Sequence, residues 1–485
     1  MTAMRSRLMD PGGVRTVVAR WTITADLILE SATHLGGEVD AASMMLLRDA
    51  HTGGPLLPGT SLAGALRAHL GDVLGDYRSP EDARVARLFG HPRREDVGAQ
   101  SPLIVFDSFG ELPNQQPIEV RDGVQLVAAR GTADEHKKYD LEVLPAGTRF
   151  PIRFDLIVAN PDTEAELVSL LVEALSGLSA DDIAFGARRS RGLGAVRAES
   201  WRARRYDLVS QDGWMSWLLS DPAAPLKKDS KSANDASAAC ASAFPEFAQQ
   251  KLEDRRSRII IDVEFASKSA LLVRSAPAEP DAPDAVHLRS AGHSILPGTG
   301  TAGALRTRAL RIARIVRTGQ GDADRWVEAI FGPRVEGIPN RDALQAHASR
   351  LRVSESIIER SHRQRPSRIR IDRFTQGVTP GALFEEEVDH GGHACLRLEL
   401  RAPQTGELGL LLLVLKDLLS GDLALGGTAA VGRGVFTGAA TLHMQDGKKI
   451  HIQPDHPTDP VVDQAIQALW SSAPRNVHHE LSGRL

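Results

Sequence analysis

The sequence predicts an α+β protein in which one folding unit occurs twice, as a duplicated motif and a repeated order of strands and helices indicate. Residues 58–67 recur as residues 297–306 with eight identities, at an offset of 239 positions. A Phe-Gly pair, a Glu-Val step and a glycine-rich loop repeat at nearly that offset, beginning at Phe89 and Phe331, Glu142 and Glu387, Gly186 and Gly426. Features that repeat in the same order indicate a tandem duplication.

The first copy reads as strand, helix, strand, strand, helix, strand. Hydrophobic patterning predicts strands at 17–30, 101–108, 148–158 and 195–201, with a small and polar loop at 31–52. The first helix should follow Pro58-Gly59, with Thr60 or Ser61 as its cap and a buried face made of Leu62, Leu66, Leu70 and Leu74. The second helix should cover 163–175, capped by Asp162 or Thr163.

The second copy repeats this order, with strands at 258–265, 351–358, 394–400 and 435–442 and helices at 301–316 and 407–419. A βαββαβ order is the ferredoxin-like arrangement, an antiparallel sheet with both helices on one face. The sequence therefore predicts two tandem ferredoxin-like domains with hairpin insertions, at 1–215 and 257–445. Residues 216–256 read as a flexible linker rich in Ala, Ser, Asp and Lys, and 446–485 as a C-terminal tail.

Composition excludes several classes of protein. A chain of 485 residues is too long for one core. The longest apolar run, 408–415, is far shorter than the ~20 residues that a bilayer span needs. The N-terminus has no apolar signal segment, and Cys240 and Cys395 fit no zinc or disulfide pattern. We therefore expect a cytoplasmic protein that does not interact with membranes.

The arginines are clustered although the net charge is −4. Segments 188–205, 306–317 and 350–373 contain seven, five and eight arginines. The planar guanidinium group suits phosphate oxygens. Any single cluster could be a solvated face with acidic partners, but three clusters near glycine-rich segments favour a polyanionic ligand.

Two glycine-rich loops, 186–194 and 426–434, each lie between a predicted helix and strand. Glycine permits positive φ and a close approach of a ligand, and exposed N–H groups in such loops attract phosphate oxygens. Neither loop matches the Walker A or dinucleotide-binding pattern. Each could be a plain tight turn, but their repetition and embedded arginines favour phosphate contact.

These features together resemble the RAMP superfamily. They are an early strand, a polar loop, the motif Leu-Pro-Gly-Thr-x-x-x-Gly-x-Leu-Arg at 57–67 and 296–306, the Phe-Gly pair and the glycine-rich loop. The resemblance covers about residues 15–205 and 257–445 and is greatest to backbone subunits of type III CRISPR effector complexes. Duplication within one chain resembles the fused subunits of subtype III-D.

The resemblance implies an RRM-like palm that holds CRISPR RNA, a hairpin "thumb" that kinks the guide–target duplex, and association with other type III subunits. It implies RNA contact by the duplicated motif, the two loops and the second hairpin, at Arg67, Arg306, Gly186, Arg188, Arg189, Arg191, Gly192, Gly194, Gly426, Gly427, Gly432, Arg433, Gly434 and Phe374.

The resemblance also implies an aspartate, after the first strand of each unit, that supports metal-dependent cleavage of target RNA. In the second unit this is Asp284, with Asp281 as the alternative. In the first unit the same spacing reaches Ser43, and the nearest acid is Asp40. A carboxylate can act as a general base or hold Mg²⁺ or Mn²⁺. Without the resemblance, a turn or a helix cap is the commoner role of a loop aspartate.

Two segments, 121–143 and 365–388, are the expected thumb hairpins. In the second, Phe374, Leu383 or Phe384 could insert between bases. Alternatively, Ile369, Ile371 and Leu383 could simply pack the hairpin on its domain. Aromatic residues make up only 5% of the chain, which disfavours sequence reading by base stacking. Recognition of phosphate and sugar, with sequence read by guide–target pairing, fits better.

We therefore expect a CRISPR RNA-binding backbone subunit that acts as a metal-dependent endoribonuclease on guide-paired target RNA. Two alternatives are a non-catalytic structural or capping subunit and a guide-processing endoribonuclease that uses His34 or His287. A duplicated small-molecule-binding protein is an alternative of a different class.

Overall fold

The computed structural model describes residues 16–40, 43–91, 99–113, 116–127, 132–220, 232–247, 249–277, 282–316, 320–333, 347–454 and 459–471. Up to residue 256 the strands are β1 (Ala19–Leu29), β2 (Gly36–Asp40), β3 (Ser43–Leu46), β4 (Leu56–Leu57), β5 (Leu103–Val105), β6 (Ser108–Phe109), β7 (Glu119–Val127), β8 (Thr132–Val143), β9 (Arg149–Val158) and β10 (Val196–Asp207). The helices there are α1 (Gly59–Gly75), α2 (Ala83–Phe89), α3 (Pro161–Ser179), α4 (Gln211–Leu218) and α5 (Ala236–Ala243).

From residue 257 the strands are β11 (Arg258–Ser267), β12 (Arg274–Ser275), β13 (Ala285–His287), β14 (Arg289–Ser290), β15 (His293–Leu296), β16 (Leu351–Val353), β17 (Ser356–Glu359), β18 (His362–Gln364), β19 (Ser367–Ile371), β20 (Val378–His390), β21 (His393–Arg401), β22 (Phe436–His443) and β23 (Lys449–Ile452). The helices are α6 (Gly298–Val316), α7 (Gln320–Phe331), α8 (Glu407–Leu419) and α9 (Pro460–Ser471).

The first sheet has the strand order β10–β1–β9–β5, and every neighbouring pair is antiparallel. In βαββαβ numbering this is the order 4-1-3-2 of the ferredoxin-like fold. The predicted leucine face of α1 is buried in the core, with Trp21 and Trp201 fully enclosed beside it. The predicted fold class is confirmed for the first half of the chain.

The second sheet repeats the order, with β22 and β21 on either side of β11 and β16 and β17 beyond β21. It also has additional strands, because β23 pairs with β22 and β15 pairs with β17. α6 and α8 pack against each other, and their apolar faces share one core. The two tandem ferredoxin-like domains are thus both present.

The predicted helix caps are wrong. α1 begins after Pro58 without a side-chain cap, and the Gly59 N–H donates instead to Asp107 Oδ1 at 2.6 Å. α3 begins after Asn160, whose side chain accepts a hydrogen bond from the Asp162 N–H, with Pro161 in the first turn. Proline suits the first turn of a helix because it has no N–H that needs a partner, so α3 begins two residues earlier than predicted.

Two segments contain more regular structure than their composition predicts. The polar loop 31–52 includes the β2–β3 hairpin. Within the expected linker, residues 236–243 form α5, and its small side chains Ala236, Ala239 and Cys240 are buried in the first core. Alanine has the highest helix propensity, and its small volume permits close packing.

The chain divides into two compact units that do not follow the repeat boundary strictly. The first comprises Met1–Val120, Leu141–Ala187 and Gly194–Arg256; the second comprises Arg121–Asp140, Arg188–Leu193 and Ser257–Leu485. The second unit therefore includes most of the β7–β8 hairpin and the centre of the first glycine-rich loop. Among the described residues, no helix combines the length and the apolarity that a membrane span requires.

Candidate nucleic-acid interface

The two glycine-rich loops have the same backbone conformation. Arg188 and Thr428 both have a left-handed φ of 59°, and each precedes a single 3-10 turn, at residues 189–191 and 429–431. Gly192 and Gly432 then return to the left-handed region, with φ of 87° and 80°. Because the backbone repeats although the residues of the turn differ, the loop shape is a property of the duplicated fold.

Both loops are anchored on the segment after the first strand of their repeat. Ala187 and Gly194 donate their N–H groups to the carbonyls of His34 and Ala32, each at 3.0 Å. The corresponding bonds in the second repeat run from Gly427 to Leu272 at 2.7 Å and from Gly434 to Ala270 at 2.9 Å. Leu272 is therefore the structural counterpart of His34.

Most of the predicted loop glycines are close to the protein's own backbone. A Cβ atom at Gly194 or Gly434 would lie 1.9 Å from the carbonyl oxygen of Phe185 or Leu425. At Gly186 it would lie 2.0 Å from the His34 oxygen, and Gly426 and Gly427 face the Leu272 oxygen at 2.8 and 3.4 Å. Glycine is thus required by the fold at positions 186, 194, 426 and 434, whatever the loops bind, whereas the distance at Gly427 is ordinary van der Waals contact.

Gly192 and Gly432 differ in their surroundings. Within the second unit, a Cβ atom at Gly192 would lie 2.3 Å from the Glu355 nitrogen, whereas one at Gly432 has no described atom within 4 Å. Gly192 is buried and Gly432 is exposed. The centre of the first loop is covered by protein, and the centre of the second is open.

The arginines of the first loop have three different environments. Arg188 donates to the Tyr139 hydroxyl and stacks on its ring at 4.4 Å. Arg189 is exposed. Arg191 lines a pocket with Arg306, Ser190, Ala302 and Gly303, and its pKa is lowered by burial and by the charge of Arg188. Arg191 has no acidic partner among the described residues, so its guanidinium group is available to a phosphate.

Three other predicted arginines form ion pairs. Arg67 makes a bidentate contact with Glu81 at 2.5 and 2.8 Å, which raises the pKa of Arg67. Arg306 lies 3.8 Å from Glu328. Arg433 is buried and lies 2.8 Å from the fully buried Glu386. Phosphate contact by these three side chains would need the ion pairs to open, and it stays a prediction.

The buried carboxylate of Glu386 was not found by sequence reasoning. Its carboxylate forms ion pairs with Arg433, Arg368 and Arg274, with N–O distances of 2.8, 3.5 and 3.6 Å. Glu386 lies on β20, so this cluster connects the second glycine-rich loop to the base of the second hairpin. The only sequence signal is the acidic run 385–387 in an otherwise cationic segment.

Many other arginines in the three clusters also have structural partners among the described acids: Arg205 with Glu164, Arg308 with Asp417, Arg314 with Asp324, Arg350 with Glu407 and Arg352 with Glu399. For these side chains, the alternative in which a clustered arginine pairs with a local acid is therefore correct. By contrast, Arg189, Arg191, Arg370 and Arg373 reach solvent without an acidic partner in the described structure.

The second hairpin, β19–β20, has an exposed apolar face. Ile369 pairs with Leu383 across the strands, and their exposed fractions are 50% and 61%. Phe374 lies in the connecting turn and is 83% exposed, and Asp372 holds that turn by accepting the N–H groups of Phe374 and Thr375. The alternative in which these side chains pack the hairpin on its domain is wrong. Exposed apolar side chains next to free arginines suit insertion between bases.

The first hairpin, β7–β8, is anchored within the second unit. Arg121 forms a buried bidentate ion pair with Glu355 at 2.5 and 3.1 Å. Tyr139 on β8 faces Gly123 on β7 and holds Arg188 of the glycine-rich loop. Residues 128–131 and the side chains of 125–137 lie outside the described part of the chain.

Asp284 lies at the base of the second hairpin. It is exposed, and its Oδ2 atom accepts the Glu385 N–H of β20 at 2.9 Å. The next residue begins β13, which runs parallel to β20 with Ala285 opposite Glu386. The fold thus brings Asp284 beside the cluster that contains Arg433. Phe374 is far along the hairpin, about 20 Å away at ~3.3 Å per strand residue.

The other predicted aspartates are described less fully. The backbone of Asp40 ends β2 opposite Ser43. The side chain of Asp40 and the whole of Asp281 lie outside the described residues. Their catalytic roles therefore stay predictions.

Both histidines proposed for guide processing are buried. His34 hydrogen-bonds to the Glu142 carbonyl through Nδ1 at 2.8 Å. His287 accepts the Val273 N–H through Nδ1 and contacts the Ile295 carbonyl through Nε2, each at 3.1 Å, and burial lowers its pKa. A neutral His287 with both ring nitrogens engaged has no group free for acid–base chemistry.

Asp284 by itself provides only one carboxylate ligand for a metal ion. In the described ranges no three His, Cys, Asp or Glu side chains are grouped as metal ligands. One exposed carboxylate fits a hard cation such as Mg²⁺, which usually keeps several waters and takes its remaining ligands from substrate phosphates.

Comparison with known proteins identifies the family but not the individual activity. No curated protein matches the chain significantly. The family model of the RAMP superfamily matches residues 26–197 and 267–437. Each matched region lies within one ferredoxin-like repeat and ends just after its glycine-rich loop. Because these two regions make up more than half of the sequence, the chain belongs to the RAMP superfamily, whose members are generally CRISPR-associated RNA-binding proteins.

Proposed function

We propose that this protein is a CRISPR RNA-binding backbone subunit of a type III interference complex, similar to the fused subunits of subtype III-D. The observation that carries the proposal is the pair of glycine-rich loops with one backbone path, combined with a hairpin whose apolar and cationic side chains are exposed. In this proposal the two repeats of one chain contact successive segments of one guide strand, the second through the open centre of its glycine-rich loop and the first through the exposed side chains of Arg189 and Arg191. Target RNA and other type III subunits are its further partners.

We further propose that the second unit cleaves guide-paired target RNA and that Asp284 is its catalytic residue, with Asp40 in the same role in the first unit. RNA cleavage of this type needs the 2′-hydroxyl aligned with the scissile phosphate, and a splayed nucleotide provides that alignment. Asp284 bonds to the Glu385 N–H, two residues along β20 from the exposed Leu383, whose side chain would insert between bases close to this carboxylate. It would take the 2′-hydroxyl proton or hold Mg²⁺ or Mn²⁺, which when bound neutralises charge on the phosphoryl oxygens.

Sequencing the nucleic acid that co-purifies with the protein tests the RNA-binding part. We expect short RNAs that share a constant tag. A preparation free of RNA, with no affinity for a guide-length oligonucleotide, would contradict it and would favour a small-molecule-binding protein.

Substitution of Asp284 tests the catalytic part. Asp284→Asn keeps an oxygen that can accept the Glu385 N–H but removes the charge, so we expect cleavage to fall by ~10²–10⁴-fold with guide affinity unchanged. Asp40→Asn tests the first unit in the same assay. The matched control is Asp212→Asn, at an exposed carboxylate in the first turn of α4.

A non-catalytic structural or capping subunit is the second candidate. It is favoured by the described residues, in which no three His, Cys, Asp or Glu side chains are grouped so that they could hold a metal ion. If the complex binds guide and target RNA but Asp284→Asn and Asp40→Asn cleave at the wild-type rate, the structural role is correct. Guide processing is disfavoured by the burial of His34 and His287. Metal-free cleavage of precursor RNA by the protein alone would instead support the guide-processing function.

A further inference from the structure

The helix α4 lies on the face of the first sheet that is opposite its hydrophobic core. On β1, Trp21 is buried in the core, so the neighbouring Arg20 is on the other, outer face. The Arg20 guanidinium carbon lies 5.6 Å from the centre of the Trp217 ring, and Ser216 accepts a hydrogen bond from Arg204 Nη2 at 2.9 Å. Ser216 and Trp217 are therefore the side of α4 that contacts the sheet.

The side of α4 that is turned away from the sheet is largely apolar. Trp214 and Leu218 are one helical turn apart, as are Met215 and Leu219, and their exposed fractions are 44%, 63%, 47% and 79%. Val209, just before the helix, is 69% exposed. A surface helix normally buries its apolar stripe and turns polar side chains to water, and α4 does the reverse. We call these five side chains the α4 surface.

Cationic side chains border the α4 surface. Arg202 and Arg204 lie two residues apart on β10 and so share the outer face, and neither has an acidic partner among the described residues. Asp155 on the same face is fully buried and is shared by two further arginines, Arg20 and Arg153. The outer face beside α4 therefore has an excess of positive charge.

The second repeat, as far as the structure describes it, has neither feature. After β22 the chain forms β23, which pairs with β22, whereas in the first repeat β10 is followed by α4. On the outer face of the second sheet Glu399 pairs with Arg352 and Arg401 at 3.1 and 3.2 Å, and Asp262 pairs with Arg397 at 2.8 Å. The α4 surface and its arginines are thus an addition to the duplicated scaffold.

The chemistry of the α4 surface favours another protein as its occupant. Single-stranded nucleic acid is bound through aromatic and cationic side chains, whereas Val209, Leu218 and Leu219 are aliphatic. A helix that lies on a membrane has lysine and arginine on its polar face, and α4 contains neither. A second copy docked by the same face would bring its Arg202 and Arg204 towards those of the first, which is repulsive.

We infer that the α4 surface docks an amphipathic helix of a different protein, in which aspartate or glutamate flanks the apolar stripe. The apolar side chains of that helix cover Trp214 and Leu218, and its carboxylates pair with Arg202 and Arg204. An exposed apolar patch with a polar rim is typical of protein interaction sites, and the complementary charge selects the partner and its orientation. This inference does not depend on the RNA activity proposed above.

Photo-cross-linking tests the inference. The full chain carries the photoreactive residue benzoylphenylalanine in place of Leu218, is isolated from its natural host with everything bound to it, and is irradiated and digested. We expect mass spectrometry to identify an adduct with a segment of another protein that has apolar residues at helical spacing and acids beside them. The control replaces Ile315 of α6, which is 83% exposed, and should not give this adduct.

Each other result of the cross-linking has a definite meaning. An adduct with RNA, with a segment of this same chain or with a segment that has no acids would overturn the inference. The absence of any adduct at position 218 would overturn it as well.

A synthetic peptide with the identified sequence gives the second measurement. We expect Leu218→Asp and Arg204→Glu each to lower its affinity for the full chain by roughly tenfold or more in fluorescence anisotropy. Arg255→Glu, at an exposed arginine of the first unit, should bind like wild type. A peptide with lysine in place of its acids should bind Arg204→Glu better than it binds wild type.

Guide RNA affinity separates this surface from the RNA interface. Leu218→Asp should bind a guide-length RNA as tightly as wild type does, because the α4 surface is a protein-binding site. A variant that loses RNA affinity, or that binds the peptide as tightly as wild type does, would contradict the inference.

Discussion

At the scale of single residues, buried charges in this protein are stabilised by specific partners. Arg256, the last residue of the first unit, is 7% exposed at its side chain and contacts Asp182 and Asp254, each at 2.7 Å. Burial alone would lower the pKa of Arg256, but the bonds to these two carboxylates raise it above its ordinary value. Arg256 is costly to remove because Asp182, whose side chain is only 11% exposed, would then stay largely buried without an opposite charge.

We therefore expect Arg256→Ala to lower the free energy of unfolding of the first unit by ~3 kcal/mol. Urea unfolding followed by tryptophan fluorescence measures this, because Trp21 and Trp201 are buried in that core. The neighbouring Arg255 is the control. Its pair with Glu253 at 3.2 Å is exposed on both sides, so Arg255→Ala should cost under ~1 kcal/mol. Equal losses for the two variants would contradict the prediction.

His287 makes the stability of the second unit depend on pH. Its pKa is lowered from 6.5 in the folded state, mainly by burial, with Asp389 and Arg289 as the charged groups that face it. Above pH 6.5 the His287 side chain is neutral in both the folded and the unfolded chain, so it does not change the free energy of unfolding. Below it the unfolded chain takes up a proton that the folded chain does not, so stability falls by up to ~1.4 kcal/mol per pH unit until the folded pKa is reached.

Unfolding of wild type and His287→Gln at pH 7.5 and 5.5, two values chosen about one unit either side of the ordinary histidine pKa, measures this effect. Wild type should lose more stability on acidification than the variant does. His390→Gln, at an exposed position, should keep the wild-type dependence. Asp389 does not titrate in this window, because hydrogen bonds from Ser294 and Ser361 offset its burial and keep its pKa below 3.8.

At the scale of elements, the shape of the second glycine-rich loop depends on Gly434. It has φ of 73°, and its missing Cβ leaves room for the Leu425 oxygen. Gly434→Ala should therefore destabilise the second unit by several kcal/mol, since backbone atoms on both sides must move. Gly447 is the matched control, with φ of 82° and open space around it, so Gly447→Ala should cost only ~1 kcal/mol. Thermal unfolding of both variants checks this, and a larger loss at Gly447 would refute it.

Some of the strands and helices could be predicted from the sequence, whereas others could not. Strands such as β1 and β11 and the leucine face of α1 follow from local periodicity, so the two ferredoxin-like cores were predictable. The helices α2, α5 and α7 were missed because they are short or polar. The pairing of Arg433 with Glu386 involves residues 47 positions apart, and no local pattern reports such a contact. For the same reason the family resemblance singled out Asp284, but the sequence did not reveal which of the clustered arginines have an acidic partner.

At the scale of the whole molecule, a net charge of −4 must coexist with binding of a polyanion. Among the described residues, about half of the clustered arginines are paired with acids, whereas Arg189 and Arg191 on the first glycine-rich loop and Arg370 and Arg373 on the second hairpin are without an acidic partner. RNA affinity should therefore depend on these few side chains. Each phosphate contact to a single strand contributes ~0.7 to the slope of log affinity against log salt.

Arg189→Ala with Arg191→Ala should lower that slope by ~1.4, because two phosphate contacts are lost. Fluorescence anisotropy of a guide-length RNA over a range of salt concentrations measures it. Arg197→Ala is the control, because Arg197 is bonded to Glu30 at 2.7 Å and to Glu199 at 3.3 Å. A slope unchanged in the double variant would exclude this loop from the RNA interface.

The C-terminal helix α9 has a practical consequence for protein production. It packs on α8 so closely that a Cβ atom at Gly409 would lie 2.2 Å from the Ala465 oxygen, and it buries Val462 and Leu469 in the second core. A recombinant fragment trimmed to the end of the family match, at residue 437, would lack this cover and would leave the leucine-rich surface of α8 in water. Such a fragment should accumulate in inclusion bodies, whereas one that retains residues up to 471 should be recovered in the supernatant.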